Sequence, residues 1–261
     1  MKPVLLEELS WLDVEQYLEE ENLILLPIGA IEQHGPHLPL ATDSINVQYL
    51  GIKAAQECQV LVAPTIRTGV SLNHMDFPGT ITLQPETLVD IIFDMVKSLA
   101  GHGFQKIILL NGHGGNKASV EIAAIRLRQF LHKVVIGVLH SWVLSKESYK
   151  VLESSIIYHA DERETSTVIV TAKHLVKMER AKKEIPKSPS GLFSFHVTDF
   201  LNQVVSYGSP RTKSVTKTGI FGDATLATEE KGRVILDEKV NNLIREINRL
   251  KALNLDDYIE G

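Results

Sequence analysis

Acidic and imidazole side chains recur in short, glycine-punctuated segments of this sequence, the residue types that bind divalent metals or move protons. Pro27-Ile-Gly-Ala-Ile-Glu-Gln-His-Gly-Pro-His-Leu-Pro-Leu-Ala-Thr-Asp43 sets Glu32 and His34 two residues apart, a spacing that turns both side chains to one side of an extended backbone. Turns at Pro36 and Pro39 can bring Asp43 back toward them. Two carboxylates and an imidazole suit a borderline divalent ion such as zinc, manganese or iron(II). The same residues also read as a helix cap at Asp43 and a solvated pair at Glu32 and His34.

Three more segments carry chemistry of this kind. Leu109-Leu-Asn-Gly-His-Gly-Gly-Asn116 offers His113 among glycines 112, 114 and 115, which let a backbone approach a ligand closely. Its plainer reading is a glycine turn with a bystander histidine, and neither common phosphate-loop spacing is met. Tyr158-His-Ala-Asp-Glu-Arg-Glu-Thr-Ser166 places His159 before an apolar helical stretch at 168–176 and Glu164 in the first turn. The helix dipole alone accounts for Asp161, Glu162 and Glu164 there, and His159 also reads as an ordinary surface histidine. Ser71-Leu-Asn-His-Met-Asp-Phe-Pro-Gly-Thr80 by itself indicates a polar turn.

Positioning these groups requires a scaffold, and the apolar pattern supplies one. Residues 23–28 form a continuous apolar run ended by Pro27 and Gly29, the pattern of a strand buried on both faces, and 60–63, 106–110 and 134–139 read the same way. Between them, Leu88, Ile91, Ile92, Met95, Val96 and Leu99 mark a helix over 86–100, opened by Pro85 and closed by Gly101. Asn116 is expected to cap a helix running to Leu131, and Asp43 or Ser44 another running to Cys58. This alternation predicts an α/β fold with a parallel sheet, which puts Glu32, His34 and His113 beyond the carboxyl ends of strands, where such sheets bind ligands. Residues 180–217, rich in Lys, Ser, Pro and Gly, read as a long loop or lid with one amphipathic piece near Phe200 to Val205; 229–253 reads as a terminal helix docked on the body.

Composition narrows the function. The chain has 261 residues, and 27 basic against 32 acidic side chains give a net charge of −5, which argues against wholesale binding to nucleic acid or an anionic membrane. A hydrophobic content of 44% excludes disorder of the whole chain. The single cysteine, Cys58, forms no intrachain disulfide or thiolate cluster and fits a reducing compartment. No apolar run reaches the ~18 residues of a membrane span, and the start is unlike a signal peptide, so a cytoplasmic protein is expected. One domain over 1–261 accounts for the length.

In order from Pro27 to about Lys231, these segments resemble the creatininase (creatinine amidohydrolase) family. The resemblance rests on Gly-x-x-Glu-x-His-Gly-Pro-His-Leu-Pro-x-x-x-Asp, Ser-x-x-His-x-x-Phe-Pro-Gly-Thr, Asn-Gly-His-Gly-Gly-Asn and His-Ala-x-x-x-Glu-Thr-Ser. Gly219-Ile-Phe-Gly-Asp-Ala-Thr-Leu-Ala-Thr-Glu-Glu-Lys231 also matches, with Ala224 where proline is common. The resemblance implies a three-layer α/β/α domain with a mainly parallel sheet, a homo-hexamer, two divalent metal ions (zinc, manganese or iron) and a small-molecule amide substrate. Carried over by position, Glu32, Asp43 and His113 bind one metal, His34 and Asp43 the other, with Asp43 bridging. A metal-activated water then attacks the amide carbon, His159 carries a proton to the leaving nitrogen, and Ser71 hydrogen-bonds the substrate.

Creatinine-hydrolysing members add a glutamate from Asn-Gly-His-Tyr-Glu-Asn, where this chain has Gly114 and Gly115 in place of the tyrosine and glutamate. Glu164 is the nearest replacement ligand, while Glu162 should face another direction. The Gly-Gly pair leaves room for a bulkier or phosphorylated substrate, and relatives of that type include formamidopyrimidine deformylases and enzymes that trim a peptide in redox-cofactor biosynthesis. Two competing expectations remain: a ligand-binding or scaffold protein that has lost the second metal, and a phosphosugar enzyme using the glycine turn without metal.

Overall fold

A computed structural model describes residues 4–185 and 211–255. Its centre is a four-stranded parallel sheet in the order β2-β1-β3-β4, built from β1 (Leu23–Ile28), β2 (Leu61–Val62), β3 (Lys106–Asn111) and β4 (Val135–His140). β1 and β3 run in register from Leu23 opposite Lys106 to Ile28 opposite Asn111, so the loops that follow them leave the sheet side by side. Both strands are buried along their whole length.

Alternation along the strands sends side chains to two separate cores. Ile24, Leu26, Ile107 and Leu109 pack with Leu88, Ile92 and Val96 of α3 (Pro85–Gly101) and Val120 and Leu127 of α4 (Lys117–Phe130). Leu23, Leu25, Ile108 and Leu110 pack with Val47 and Leu50 of α2 (Thr42–Cys58) and Leu236, Leu243 and Ile247 of α6 (Glu229–Lys251). A short amphipathic α1 (Trp11–Glu20), opened by a Ser10–Asp13 capping box, precedes β1. The result is the three-layer α/β/α arrangement with a mainly parallel sheet.

Several local expectations are corrected. Asn116 does not cap α4 with its side chain. Its amide instead ties two loops together, accepting from Val70 N–H at 2.8 Å and donating to the Gly29 carbonyl at 2.9 Å. α2 begins one residue before Asp43, and the Ser44 hydroxyl donates to the carbonyls of Ala30 and Arg67 rather than capping. The apolar stretch 168–176 is helical only to Ala172, the end of α5 (Glu162–Ala172), and continues as a tight turn at Lys173–Leu175. A small antiparallel sheet of β5 (Ile157–His159), β7 (Phe221–Asp223) and β6 (Lys183–Glu184) was not legible in the sequence, because strands of two or three residues carry no periodic signal. Of the segment 180–217, residues 186–210, including the Phe200 to Val205 piece, lie outside the described residues. Among the described residues, no helix is long and apolar enough to cross a membrane.

Candidate metal centre

Three loops meet beyond the carboxyl ends of β1 and β3. After β1 the chain carries Glu32 and His34 and enters α2 at Asp43; after β3 it carries His113; β5 ends on His159, and α5 brings Glu164. Glu32, His34, Asp43, His113 and His159 are all buried. His113 Nδ1 lies 2.9 Å from Asp43 Oδ2, and its Nε2 lies 3.3 Å from Glu32 Oε2. His34 Nε2 lies 3.3 Å from Asp43 Oδ1 and 3.6 Å from Glu164 Oε2. His159 Nδ1 is 3.6 Å from Glu32 Oε1. The structure thus brings together Glu32, His34, Asp43, His113, His159 and Glu164, while Asp161 and Glu162 turn to other partners.

Local structure explains how each side chain is aimed. Asp161 caps α5 by accepting from Glu164 N–H at 2.9 Å. Ala160, buried with φ of 50°, turns the chain sharply between His159 and that cap, and its N–H donates to Glu164 Oε2 at 2.7 Å. Arg163 Nη2 donates to Glu164 Oε1 at 2.8 Å, so both carboxylate oxygens are held. The His34 Nδ1 faces the Glu32 carbonyl at 3.1 Å and the His113 Nε2 faces the Val70 carbonyl at 3.0 Å. Carbonyls only accept, so these nitrogens carry the protons, which leaves His34 Nε2 and His113 Nδ1 facing Asp43, while His113 Nε2 also lies within reach of Glu32. A histidine held from behind by a carbonyl is the usual support of a metal-binding imidazole.

Buried polar atoms test whether a cation fits. Glu32 Oε2, His34 Nε2 and Asp43 Oδ2 are buried yet have no aligned hydrogen-bond partner, although they stand at ion-pair distance from one another's neighbours. Such atoms are costly unless something positive completes them. Protons can do so. Burial opposes a charge on His34, but the Asp43, Glu164 and Glu32 carboxylates outweigh it and push the imidazole up to about 10. Burial likewise opposes a charge on His113, and Glu32 and Asp43 push it up to about 9. Asp43 is buried, but His34 and His113 hold its carboxyl well below the usual range. Burial raises Glu32 to about 7. His159 is held well below its ordinary value by burial and by His34. The donor set, two carboxylates and two or more imidazoles with supported rings, fits a divalent metal.

Residues outside the sequence reading also belong to the site. Gln33 is buried between His74 and His159, with its amide nitrogen 2.9 Å from His74 Nδ1 and 3.0 Å from His159 Nε2. The motif around Ser71 carried His74 in plain view, and only the tertiary fold reveals that it reaches to 3.8 Å from Glu32 Oε2. Ser71 Oγ is buried without a hydrogen-bond partner and acts on Glu32. The two glycines differ. A Cβ at Gly114 would meet nothing within 4 Å, whereas one at Gly115 would stand 2.1 Å from the Val70 carbonyl oxygen and 2.5 Å from His113 Nε2. The open space is therefore at residue 114.

A three-layer α/β/α fold with a carboxylate–imidazole cluster where parallel strands end defines an α/β protein with a candidate divalent-metal site. The chain belongs to the creatininase family, whose profile, described as creatinine amidohydrolase, matches residues 7–247. It is a metal-dependent amidohydrolase of that family. It is 27% identical over 261 residues to a 3-dehydro-scyllo-inosose hydrolase of Thermotoga maritima, covering 94% of this chain and 83% of the relative. It is 29% identical over 235 residues to a mycofactocin precursor peptide peptidase of Mycobacterium ulcerans, covering 87% and 84%. A creatininase crystal structure superimposes with a TM-score of 0.82 at 24% identity, covering 97% of this chain and all of the other. Creatininases of the same fold have been solved in manganese and zinc–zinc forms, each with a TM-score of 0.81.

Proposed function

We propose that this chain hydrolyses a small or cyclic amide C–N bond at a binuclear metal centre. In this reading Glu32, Asp43 and His113 hold one cation, while His34, Asp43 and Glu164 hold the other, with Asp43 shared. The observation that carries it is that Glu32 Oε2, His34 Nε2 and Asp43 Oδ2 are buried without an aligned hydrogen bond inside one carboxylate–imidazole cluster. Zinc, manganese or iron bound there supplies Lewis-acid polarisation of a carbonyl and a water acidic enough to react near neutral pH.

The chain's own residues do the rest. His159 Nε2 donates to the Gln33 carbonyl at 2.8 Å, so any proton it moves is carried on Nδ1, the atom facing Glu32 and the reaction space. His159, neutral at rest, would take up on Nδ1 the proton lost by the attacking water and pass it to the leaving nitrogen. Ser71 Oγ, buried beside Glu32, is placed to hydrogen-bond the substrate, and the gap at Gly114 admits a group bulkier than a tyrosine-bearing site would. The same reading takes the chain as one domain, a cytoplasmic homo-hexamer, with exposed Ile122, Ile125 and Phe130 on α4 available for self-association.

Metal analysis of protein purified without chelator, coupled to an amide-hydrolysis screen, tests the proposal. Two divalent equivalents with turnover are expected; protein that stays metal-free and inactive after reconstitution sinks it. A second expectation concerns protons. His34 and His113, raised to about 10 and about 9, are charged near neutral pH in the metal-free chain and must become neutral to bind metal. Zinc uptake should therefore release two protons from the imidazoles and a further fraction from Glu32, raised to about 7, and apparent affinity should climb as pH rises toward 9. Calorimetry in two buffers of different ionisation enthalpy measures this, and identical heats in both would refute it.

Creatinine turnover is expected to sit near background, because Gly114 and Gly115 replace the tyrosine and glutamate of the creatinine-hydrolysing motif. Gly115→Glu alone should not restore it, since the new Cβ would collide with the Val70 carbonyl and His113. Efficient creatinine hydrolysis by the wild-type chain would show this inference wrong.

A further inference from the structure

Among the described residues, three overlapping groups of side chains could hold a cation: Glu32–Asp43–His113, His34–His159–Glu164 and Glu32–His74–His159. The binuclear reading leaves the third without a role, and the hydrogen bonds behind its imidazoles decide what it can do. Gln33 Oε1 accepts from Gly35 N–H at 3.0 Å, which fixes the amide with its nitrogen toward the histidines. Because His159 Nε2 already donates to the Gln33 backbone carbonyl, the amide hydrogens are left for the Gly219 carbonyl at 3.2 Å and His74 Nδ1 at 2.9 Å. The Thr212 hydroxyl, 3.4 Å away, also faces His74 Nδ1. Nδ1 of His74 is therefore an acceptor, and the neutral ring carries its proton on Nε2, the atom aimed at Glu32. A protonated ring nitrogen is not a metal ligand. Gly219, with φ of 84°, leaves the space for this amide, since a Cβ there would stand inside the Gln33 carboxamide.

We propose that Gln33 is a positioning residue that commits His74 to donate its Nε2–H into the site, toward the carbonyl oxygen of an amide substrate, and keeps His74 off the metal. The inference rests on the metal-site reading above. It leaves two metal-competent triads with a fixed donor beside them, on the same short turn as Ser71. A donor aimed in advance at the oxygen where negative charge develops stabilises that charge without reorganising.

Zinc-reconstituted full-length protein tests this with His74→Ala, His74→Gln and Gln33→Glu. Bound zinc is counted by elemental analysis, and binding of acetohydroxamate, a chelating amide analogue, is measured by calorimetry. Wild type and both His74 variants should hold two zinc equivalents. Acetohydroxamate should bind about tenfold more weakly to His74→Ala, while His74→Gln, which keeps an N–H donor, should lose no more than about threefold. Gln33→Glu places an acceptor at Nδ1, moves the ring proton there and frees Nε2, so a third zinc equivalent is expected. A zinc equivalent lost from His74→Ala, with two retained by wild type, makes His74 a ligand and overturns the inference while leaving the metal centre standing. Unchanged acetohydroxamate binding in His74→Ala, or unchanged zinc content in Gln33→Glu, also overturns it. Wild-type protein that takes up no zinc overturns the metal-site reading itself.

Discussion

Replacing His113 with alanine is expected to abolish metal-dependent hydrolysis while leaving the secondary structure unchanged. The residue sits in a turn just past β3, between Gly112 and Gly114, and contributes nothing to either hydrophobic core. Its work is local: one ring nitrogen is held by the Val70 carbonyl at 3.0 Å and the other stands 2.9 Å from Asp43. Groups that merely support a ligand cost about 10–100-fold in metal affinity or activity when removed, so loss of a ligand itself should exceed about a hundredfold. Removing this imidazole also strips Glu32 and Asp43 of a positive neighbour, which weakens the metal-free site further. Circular dichroism and metal content decide the matter together. Wild-type activity at unchanged metal stoichiometry would refute the assignment.

The frame of this site was legible because burial imposes periodicity. β1 falls on the residues its apolar run marks, and α3 extends the predicted helix by one residue at each end. Strands of this kind end where their side chains stop being apolar, which places Glu32, His34 and His113 at one sheet edge from the sequence alone. Capping was misread at Asn116 and Ser44, since each side chain had a better partner on a distant loop, a tertiary contact no local pattern encodes. His74 and Gln33 were missed for the same reason. A lone histidine in a polar turn carries no signal until β1, β5 and the 211–219 stretch converge on it, and a glutamine between two candidate ligands looks like a spacer until its amide is seen bridging two imidazoles. The Gly114–Gly115 pair shows the opposite failing: equal in sequence, the two positions differ in space, one open and one closed by a carbonyl.

Glu164→Gln set beside Glu162→Gln separates ligand from scaffold within a single helical turn. Glu164 Oε2 lies 3.6 Å from His34 Nε2 while its other oxygen is gripped by Arg163, so the carboxylate is presented to the metal site by a half-buried cation and by the Ala160 N–H. Glu162, fully buried two residues earlier, faces the other way. It accepts from the backbone N–H groups of Glu153 and Ser154 at 2.9 and 2.7 Å and pairs with Lys231 of α6, clasping two segments together. Neutralising Glu162 should cost stability, about 1–3 kcal/mol, because the Lys231 ammonium keeps Glu153 as a partner at 2.6 Å but loses its buried one. Metal content should stay at two equivalents. Neutralising Glu164 should do the reverse: an amide oxygen still accepts from Ala160 or Arg163 and preserves the turn, but it is a far weaker metal donor, so one of the two equivalents should be lost with little change in melting temperature. Elemental analysis and thermal unfolding on both variants read out this crossed pattern. Two metals retained in both would assign Glu164 to proton transfer or helix capping, and the second cation would then have to be held by His34 and Asp43 with water or substrate filling its open positions.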